Sequence, residues 1–164
     1  MEIRRAGPED AAAIAEVHVR TWQDAYEHVF GAKRLAAITP EGRLARWQEI
    51  LASGEGLTLV AENDDLAVGF VSVGPSRDEG AQGELYGIYV LPQAWGAGAG
   101  PALMSAGLAA LRAEGHADAI LWVLADNPRA RRFYEREGWH DDGGRKRDEF
   151  LGLEVDEVRY RIEL

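Results

Sequence analysis

The stretch that most constrains this chain runs from Glu84 to Leu124. Glu84 to Leu91 is a nearly uninterrupted apolar run, the pattern of a strand covered on both faces. Pro92 and the run Trp95-Gly96-Ala97-Gly98-Ala99-Gly100 then break it. A helix is predicted from about Ala99 to Glu114, with Leu103, Gly107, Leu108 and Leu111 along its inner side and Gly115 ending it. Ala119 to Leu124 is another buried-type strand. Strand, loop, helix and strand in that order make one right-handed crossover, so the chain is committed to a mixed α/β architecture.

The flanks extend this pattern. Glu2 to Arg4 reads as a short first strand. Pro8 suits the first turn of a helix, with Glu9 and Asp10 at the positive end of its dipole. Ile14, Val17 and His18 predict a helix to about Arg20. Trp22, Tyr26, Val29 and Phe30 predict a second helical stretch ending near Gly31, and Glu41 to Ala52 a third, with Gly54 past its end. The period then changes to that of strands: Leu57 to Glu62, a turn at Asn63-Asp64-Asp65, and a returning strand from Leu66 to Val73. Gly74 to Gly83 has loop composition. After the crossover, Asn127-Pro128 opens a helix running to Glu137, and two strands follow, about Trp139 to Arg147 and Leu153 to Glu163. With no repeat, low-complexity tract or linker, the 164 residues form one domain.

Composition excludes several functions. The absence of cysteine rules out disulfides, thiolate metal sites and a cysteine nucleophile. His18, His28, His116 and His140 are scattered without metal-ligand spacing, so no metal is expected. A formal net charge of −10 argues against nucleic-acid binding and suits a cationic substrate. The N-terminus lacks a secretory apolar run, and no stretch approaches the ~18 apolar residues of a membrane span. A cytoplasmic location away from membranes is the expectation.

A glycine-rich turn at a helix N-terminus is a physical anion trap. The first-turn N–H groups have no partner in the helix, the dipole adds positive potential, and glycines let the backbone approach a phosphate. The other reading of Gly96, Gly98 and Gly100 is a simple tight turn. Two nucleotide loops are excluded by spacing: the pattern here is G-x-G-x-G, not G-x-G-x-x-G, and the only lysines, Lys33 and Lys146, are far from the loop.

The residues from Tyr89 through Trp95-Gly96-Ala97-Gly98-Ala99-Gly100-Pro101 to Leu103 resemble the acetyl-CoA-binding motif of the GCN5-related N-acetyltransferases, the GNAT family. A second block, Asn127-Pro128-Arg129-Ala130-Arg131-Arg132-Phe133-Tyr134 to Gly138-Trp139, resembles the family's following motif at the same separation. Trp139 replaces the usual Phe, and Trp95 replaces the Gln or Arg that usually begins the loop. The resemblance implies a central mixed, mostly antiparallel sheet, with splayed middle strands and flanking helices. It implies acetyl-CoA as co-substrate and transfer of acetyl to a primary amine of a small molecule or peptide in a ternary complex.

The resemblance also assigns roles. Backbone groups of Ile88, Tyr89 and Val90 would pair with the pantetheine arm, as a peptide adds to a strand edge. Trp95, Gly96, Ala97, Gly98, Ala99, Gly100 and Pro101 would hold the pyrophosphate. Gly87 suits a bulge beside the splay or simple close packing. Asn127 is a helix N-cap and a pantetheine contact. Tyr134 is the acid that protonates the departing thiolate, with a core aromatic as the alternative reading. Glu84, six residues before Val90, is the candidate base, or an ordinary strand-end carboxylate. Trp22 and Tyr26 are core residues or acceptor contacts. Arg129, Arg131 and Arg132 form a solvated helix face or reach the cofactor's terminal phosphates, Arg132 being taken as the cofactor contact. Asp24, Glu27 and Glu79 are surface carboxylates or attract a cationic acceptor. A homodimer is expected by analogy with relatives. The competing function is a non-catalytic acyl-CoA-binding module.

Overall fold

The computed structural model, which describes residues 1–164, mixes strands and helices along the chain. They are β1 (Glu2–Arg5), a 3-10 turn (Pro8–Asp10), α1 (Ala11–Ala36), α2 (Pro40–Ser53), β2 (Leu57–Asn63), β3 (Leu66–Pro75) and β4 (Gly83–Val90). A second 3-10 turn (Pro92–Ala94) leads to α3 (Ala99–Ala113), β5 (Asp118–Leu124), α4 (Pro128–Arg136), β6 (His140–Phe150) and β7 (Leu153–Glu163). One seven-stranded sheet has the order β1-β2-β3-β4-β5-β7-β6.

Every neighbouring pair is antiparallel except β4 and β5, which are parallel. That pairing consists of Gly83 with Ala119 and Glu84 with Ile120 only. The rest of β4 has no neighbour on that side, while β5 is paired along its whole length with β7 on its other edge. A bulge helps it diverge. The β3–β4 register slips from Ser72 opposite Gly87 to Val73 opposite Leu85, leaving Tyr86 without a partner residue, and such an insertion bends and twists a strand. The splayed middle of the sheet is therefore present, and it begins two rungs into β4.

The N-terminal helices differ from the sequence reading. The two expected stretches are one helix from Ala11 to Phe30, because neither Gly nor Pro interrupts the junction; the Thr21 hydroxyl there is satisfied by the Val17 carbonyl at 2.8 Å. The break falls at Gly31, whose φ of 78° and ψ of 153° turn the chain before a last short helical segment. The final hairpin is longer than predicted. β6 continues three residues past Arg147 because the reversal is made at Leu151 and Gly152, with φ of 52° and 80°.

Both faces of the sheet are covered. On one, α3 and α4 bring Leu103, Met104, Leu111 and Tyr134 onto Val71, Leu85, Leu121 and Tyr160. On the other, α1 and α2 bring Ile14, Val17 and Trp47 onto Phe70, while Val19, Tyr26 and Phe30 meet Val155. Each fully buried side chain of this size contributes roughly 1.5–3 kcal/mol. His18 packs among Trp47, Phe70 and Tyr89 and accepts from Trp47 Nε1 at 3.2 Å. Burial, with a smaller effect of Arg43, lowers its pKa to about 4, so it packs as a neutral ring. No helix is long and apolar enough to cross a membrane.

Candidate active site

Where β4 leaves β5 its backbone is open, and the register shows which groups are free. The Leu91 N–H donates to the Val68 carbonyl at 2.8 Å, and hydrogen-bonded pairs alternate along an antiparallel ladder. Tyr89 and Gly87 therefore bond to β3, while the backbone groups of Ile88 and Val90 point into the gap. Trp95 takes one of them: its Nε1 donates to the Val90 carbonyl at 2.9 Å. The Ile88 N–H, the Ile88 carbonyl and the Val90 N–H are left facing the opening. A side chain at Gly87 would meet the Tyr89 ring at 2.7 Å, so close packing accounts for this glycine, while the unpaired residue of the bulge is its neighbour Tyr86.

The loop continues this edge. Gly96 and Gly98 have φ of 79° and 87°, the left-handed region that disfavours any side chain. The N–H groups of Gly96, Gly98, Ala99 and Gly100 donate to no carbonyl in the protein, and three of them surround the start of α3. They form a cluster of free donors at the positive end of a 15-residue helix. Cationic charge comes from α4. The Arg129 guanidinium lies 3.2 Å from the centre of the Trp95 ring, a stacked cation–π contact. Arg129 and Arg136 both line the cleft.

That cleft, about 830 Å³, runs from the loop past the open edge to α1 and the final hairpin. Tyr134 lines it with a hydroxyl that has no protein partner. Burial first, then the nearby Tyr89 and Tyr26 phenols, push its ionisation far above the ordinary range, so it keeps its proton. Asn127 links two elements: its side-chain oxygen caps α4 at the Ala130 N–H (3.2 Å), and its Nδ2 donates to the Tyr26 hydroxyl at 3.0 Å. Trp22 Nε1 donates to the Tyr89 hydroxyl at 3.3 Å. Burial also raises Tyr26 and Tyr89, so three protonated phenols share this wall.

Two buried carboxylates line the cleft, in opposite circumstances. Glu84, 1% exposed, accepts from the Arg77 backbone N–H at 3.0 Å, from Nε at 3.2 Å and from Nη2 at 2.5 Å. Both of its oxygens are engaged. Glu157, 5% exposed, has Lys146 Nζ at 3.5 Å from one oxygen. Burial raises its pKa, Lys146 opposes the shift and Asp148 adds to it. Lys146 also lies 4.3 Å from the centre of the Trp122 ring, and Trp122 Nε1 donates to Asp78 at 2.7 Å.

Of the residues singled out in the sequence, Trp22, Tyr26, Glu84, Gly87, Ile88, Tyr89, Val90, Trp95, Gly96, Gly98, Ala99, Gly100, Pro101, Asn127, Arg129 and Tyr134 line this one cleft. Ala97, Arg131, Arg132, Asp24, Glu27 and Glu79 do not. Arg129, Phe133 and Arg136 line the cleft and Arg132 does not, although Arg132 sits three residues after Arg129 and four before Arg136 on α4. Helical spacing makes the three arginines neighbours, so it does not separate Arg129 and Arg136 from Arg132. Glu157 and Lys146 carry no sequence signal either. They meet across the β6–β7 pairing, which local sequence does not announce. No group of three or more His, Asp or Glu is placed to hold a metal ion.

Comparison with known proteins agrees with this geometry. Residues 14–139 match the acetyltransferase (GNAT) family. The chain is 33% identical over 128 residues to the uncharacterized N-acetyltransferase YuaI of Bacillus subtilis (strain 168), covering 77% of this chain and 73% of that one. It superposes on the PaiA N-acetyltransferase from Thermoplasma acidophilum in complex with coenzyme A with a TM-score of 0.77, at 18% identity, over 99% of this chain and 98% of that one. The yncA structure from Salmonella typhimurium with its cofactor acetyl-CoA gives 0.72 at 22% identity, over 99% and 93%. The two structures share the fold, and the family match spans most of the sequence. The chain belongs to the acetyltransferase (GNAT) family.

Proposed function

We propose that this protein transfers the acetyl group of acetyl-CoA to a primary amine of a small molecule or peptide, by direct attack within a ternary complex. The observation that carries this reading is the continuity of the cleft. Free N–H donors at Gly96 and Gly98 to Gly100, the open edge at Ile88 and Val90, and the unpartnered Tyr134 hydroxyl line one space. The residues fit such a co-substrate. The glycine-loop N–H groups and the α3 dipole suit the pyrophosphate, with Arg129 and Arg136 adding charge in a protein whose net charge is −10. Ile88 and Val90 offer a carbonyl and two N–H groups to an amide-bearing arm.

Acetyl-CoA supplies an activated thioester, so no protein nucleophile is needed, and the chain has no cysteine to provide one. Tyr134 holds its proton at the hydroxyl and gives it to the sulfur as the carbon–sulfur bond breaks. The tyrosine-lined wall with Trp22 suits the carbon skeleton of an acceptor. The overall negative charge draws in an ammonium ion. An unpartnered, protonated hydroxyl in the cleft favours catalysis over a silent acyl-CoA-binding module.

Incubating the protein with acetyl-CoA and a panel of amino acids, polyamines, aminoglycosides and peptide N-termini, while following free thiol, tests this directly. Amine-dependent thiol release is the expected result. Release no faster than without protein, across the whole panel, overturns it.

A further inference from the structure

An alkylamine with a pKa of ~10 arrives as an ammonium ion and must lose a proton before it can attack. Glu84 is badly placed to take it, since three Arg77 donors already engage both oxygens. Glu157 is the other buried carboxylate of the cleft. β7 pairs it with Leu124 at the end of β5 and with Lys146 of β6, and it lies two residues from Val155, which packs against α1. Every element around it contributes a named group: Lys146 and Asp148 from β6, Tyr26 from α1, Tyr89 from β4, and Arg77 from the segment before β4. Only Lys146 approaches as a partner, at 3.5 Å, so lone pairs of Glu157 remain directed at the cleft.

We propose that Glu157 is the catalytic base of this site, the carboxylate that takes a proton from the acceptor's ammonium group. The assignment rests on reading the cleft as an amine acetyltransferase site. The protons balance as follows. Glu157 takes the first proton and leaves a neutral amine, whose electron pair forms the new carbon–nitrogen bond. As the carbon–sulfur bond breaks, its electrons go to sulfur, which receives the Tyr134 proton. The second nitrogen proton passes through water to the Tyr134 phenolate. Glu157 then releases its proton to solvent, so each turnover yields one amide, one thiol and one proton. The observed environment supports the role, because burial holds the acid form of Glu157 above the ordinary carboxylate range while Lys146 keeps the ionised form accessible.

The test is Glu157→Gln, with Glu157→Asp beside it. The Gln variant is expected to lower kcat at least ~100-fold, with acetyl-CoA Kd, measured by calorimetry, within about twofold of wild type. The wild-type kcat/KM profile is expected to carry an ascending limb above the ordinary carboxylate range and below the amine's own ionisation. That limb should vanish in the Gln variant and persist at reduced kcat in the Asp variant. Apart from turnover, carboxyl-carbon NMR of the free protein should show one glutamate titrating late, its signal absent from the Gln variant. Normal turnover in a Gln variant that still binds acetyl-CoA overturns the assignment alone, as does a Glu157 signal titrating in the ordinary range. Wild-type protein that acetylates no amine overturns the functional reading, and this assignment with it.

Discussion

The two ends of the cleft are built on different principles. The loop end comes from one contiguous run, Val90 to Pro101, and presents backbone N–H groups around the left-handed Gly96 and Gly98. The α1 end is assembled from α1, β4, β5, β6 and β7, and presents side chains such as Tyr26, Glu157 and Lys146. A backbone cradle needs only a short pattern of glycines. A side-chain site depends on pairings far apart in sequence. Changes at the loop end should therefore act on cofactor affinity, and changes at the α1 end on turnover.

Tyr134, where the two ends meet, is expected to give the largest effect and to separate those readouts. Tyr134→Phe removes only the hydroxyl, which has no protein partner, so the fold should keep its stability. We expect kcat to fall ~100-fold or more, with acetyl-CoA Kd within about twofold. Equal turnover in both proteins removes Tyr134 from the chemistry.

Glu84 and Glu157 sharpen the contrast as a matter of stability. Arg77→Ala leaves Glu84 buried with only the backbone N–H of residue 77 as a donor and no opposite charge. Breaking a buried pair costs about 3–5 kcal/mol, and since the Arg77 side chain is 70% exposed the loss should be nearer ~2 kcal/mol, read as a shifted urea midpoint. Glu157→Gln should act oppositely. A folded-state pKa raised by burial means stability is fullest below the unfolded pKa and is lost as pH rises through the folded one. At neutral pH the ionised Glu157 is therefore held against its preference. The Gln variant is expected to gain about 0.5–2 kcal/mol there and to lose the advantage in acid. A gain independent of pH would mean that the carboxylate is not held against its preference.

These differences also explain what could be read in advance. The crossover, the turn at Asp64-Asp65 and the Asn127 cap of α4 were legible because each is set by a few neighbouring residues. The run from Ala11 to Phe30 was misjudged as two helices because the apolar face drifts there without a breaker, and only Gly31 interrupts it. Glu84 stood out as an acid at a fixed offset from Val90, yet the residue that engages it, Arg77, lies in a loop whose path no periodicity describes. Glu157 was passed over for the complementary reason. Its alternating strand, from Leu153 to Glu163, does not disclose which face the fold encloses.

Within the loop end, Gly98→Ala tests the backbone itself. A side chain at φ of 87° costs roughly 1–2 kcal/mol. We expect acetyl-CoA Kd to rise about tenfold with kcat at saturation little changed. A fall in kcat at unchanged Kd would break the division between the two ends.

The smallest effect, and the finest test, concerns the one side-chain pair that the cradle does use. Trp95 bonds the Val90 carbonyl and stacks on Arg129, so it ties the end of β4 to the N-terminus of α4 and fixes where a cation stands beside the free N–H groups. Trp95→Ala removes the platform and Arg129→Ala removes the charge. Because the pair is exposed, each should raise Kd only about threefold, and the Arg129 variant should also weaken its dependence on salt. If Trp95 acts by placing Arg129, the double variant will bind no worse than either single one, whereas independent contacts would multiply to about ninefold. Trp95→Phe keeps a ring and loses the indole N–H, so it divides stacking from the bond to Val90. Full binding in that variant would assign the role to the Arg129 stack, and binding as weak as in Trp95→Ala would assign it to the anchored strand end.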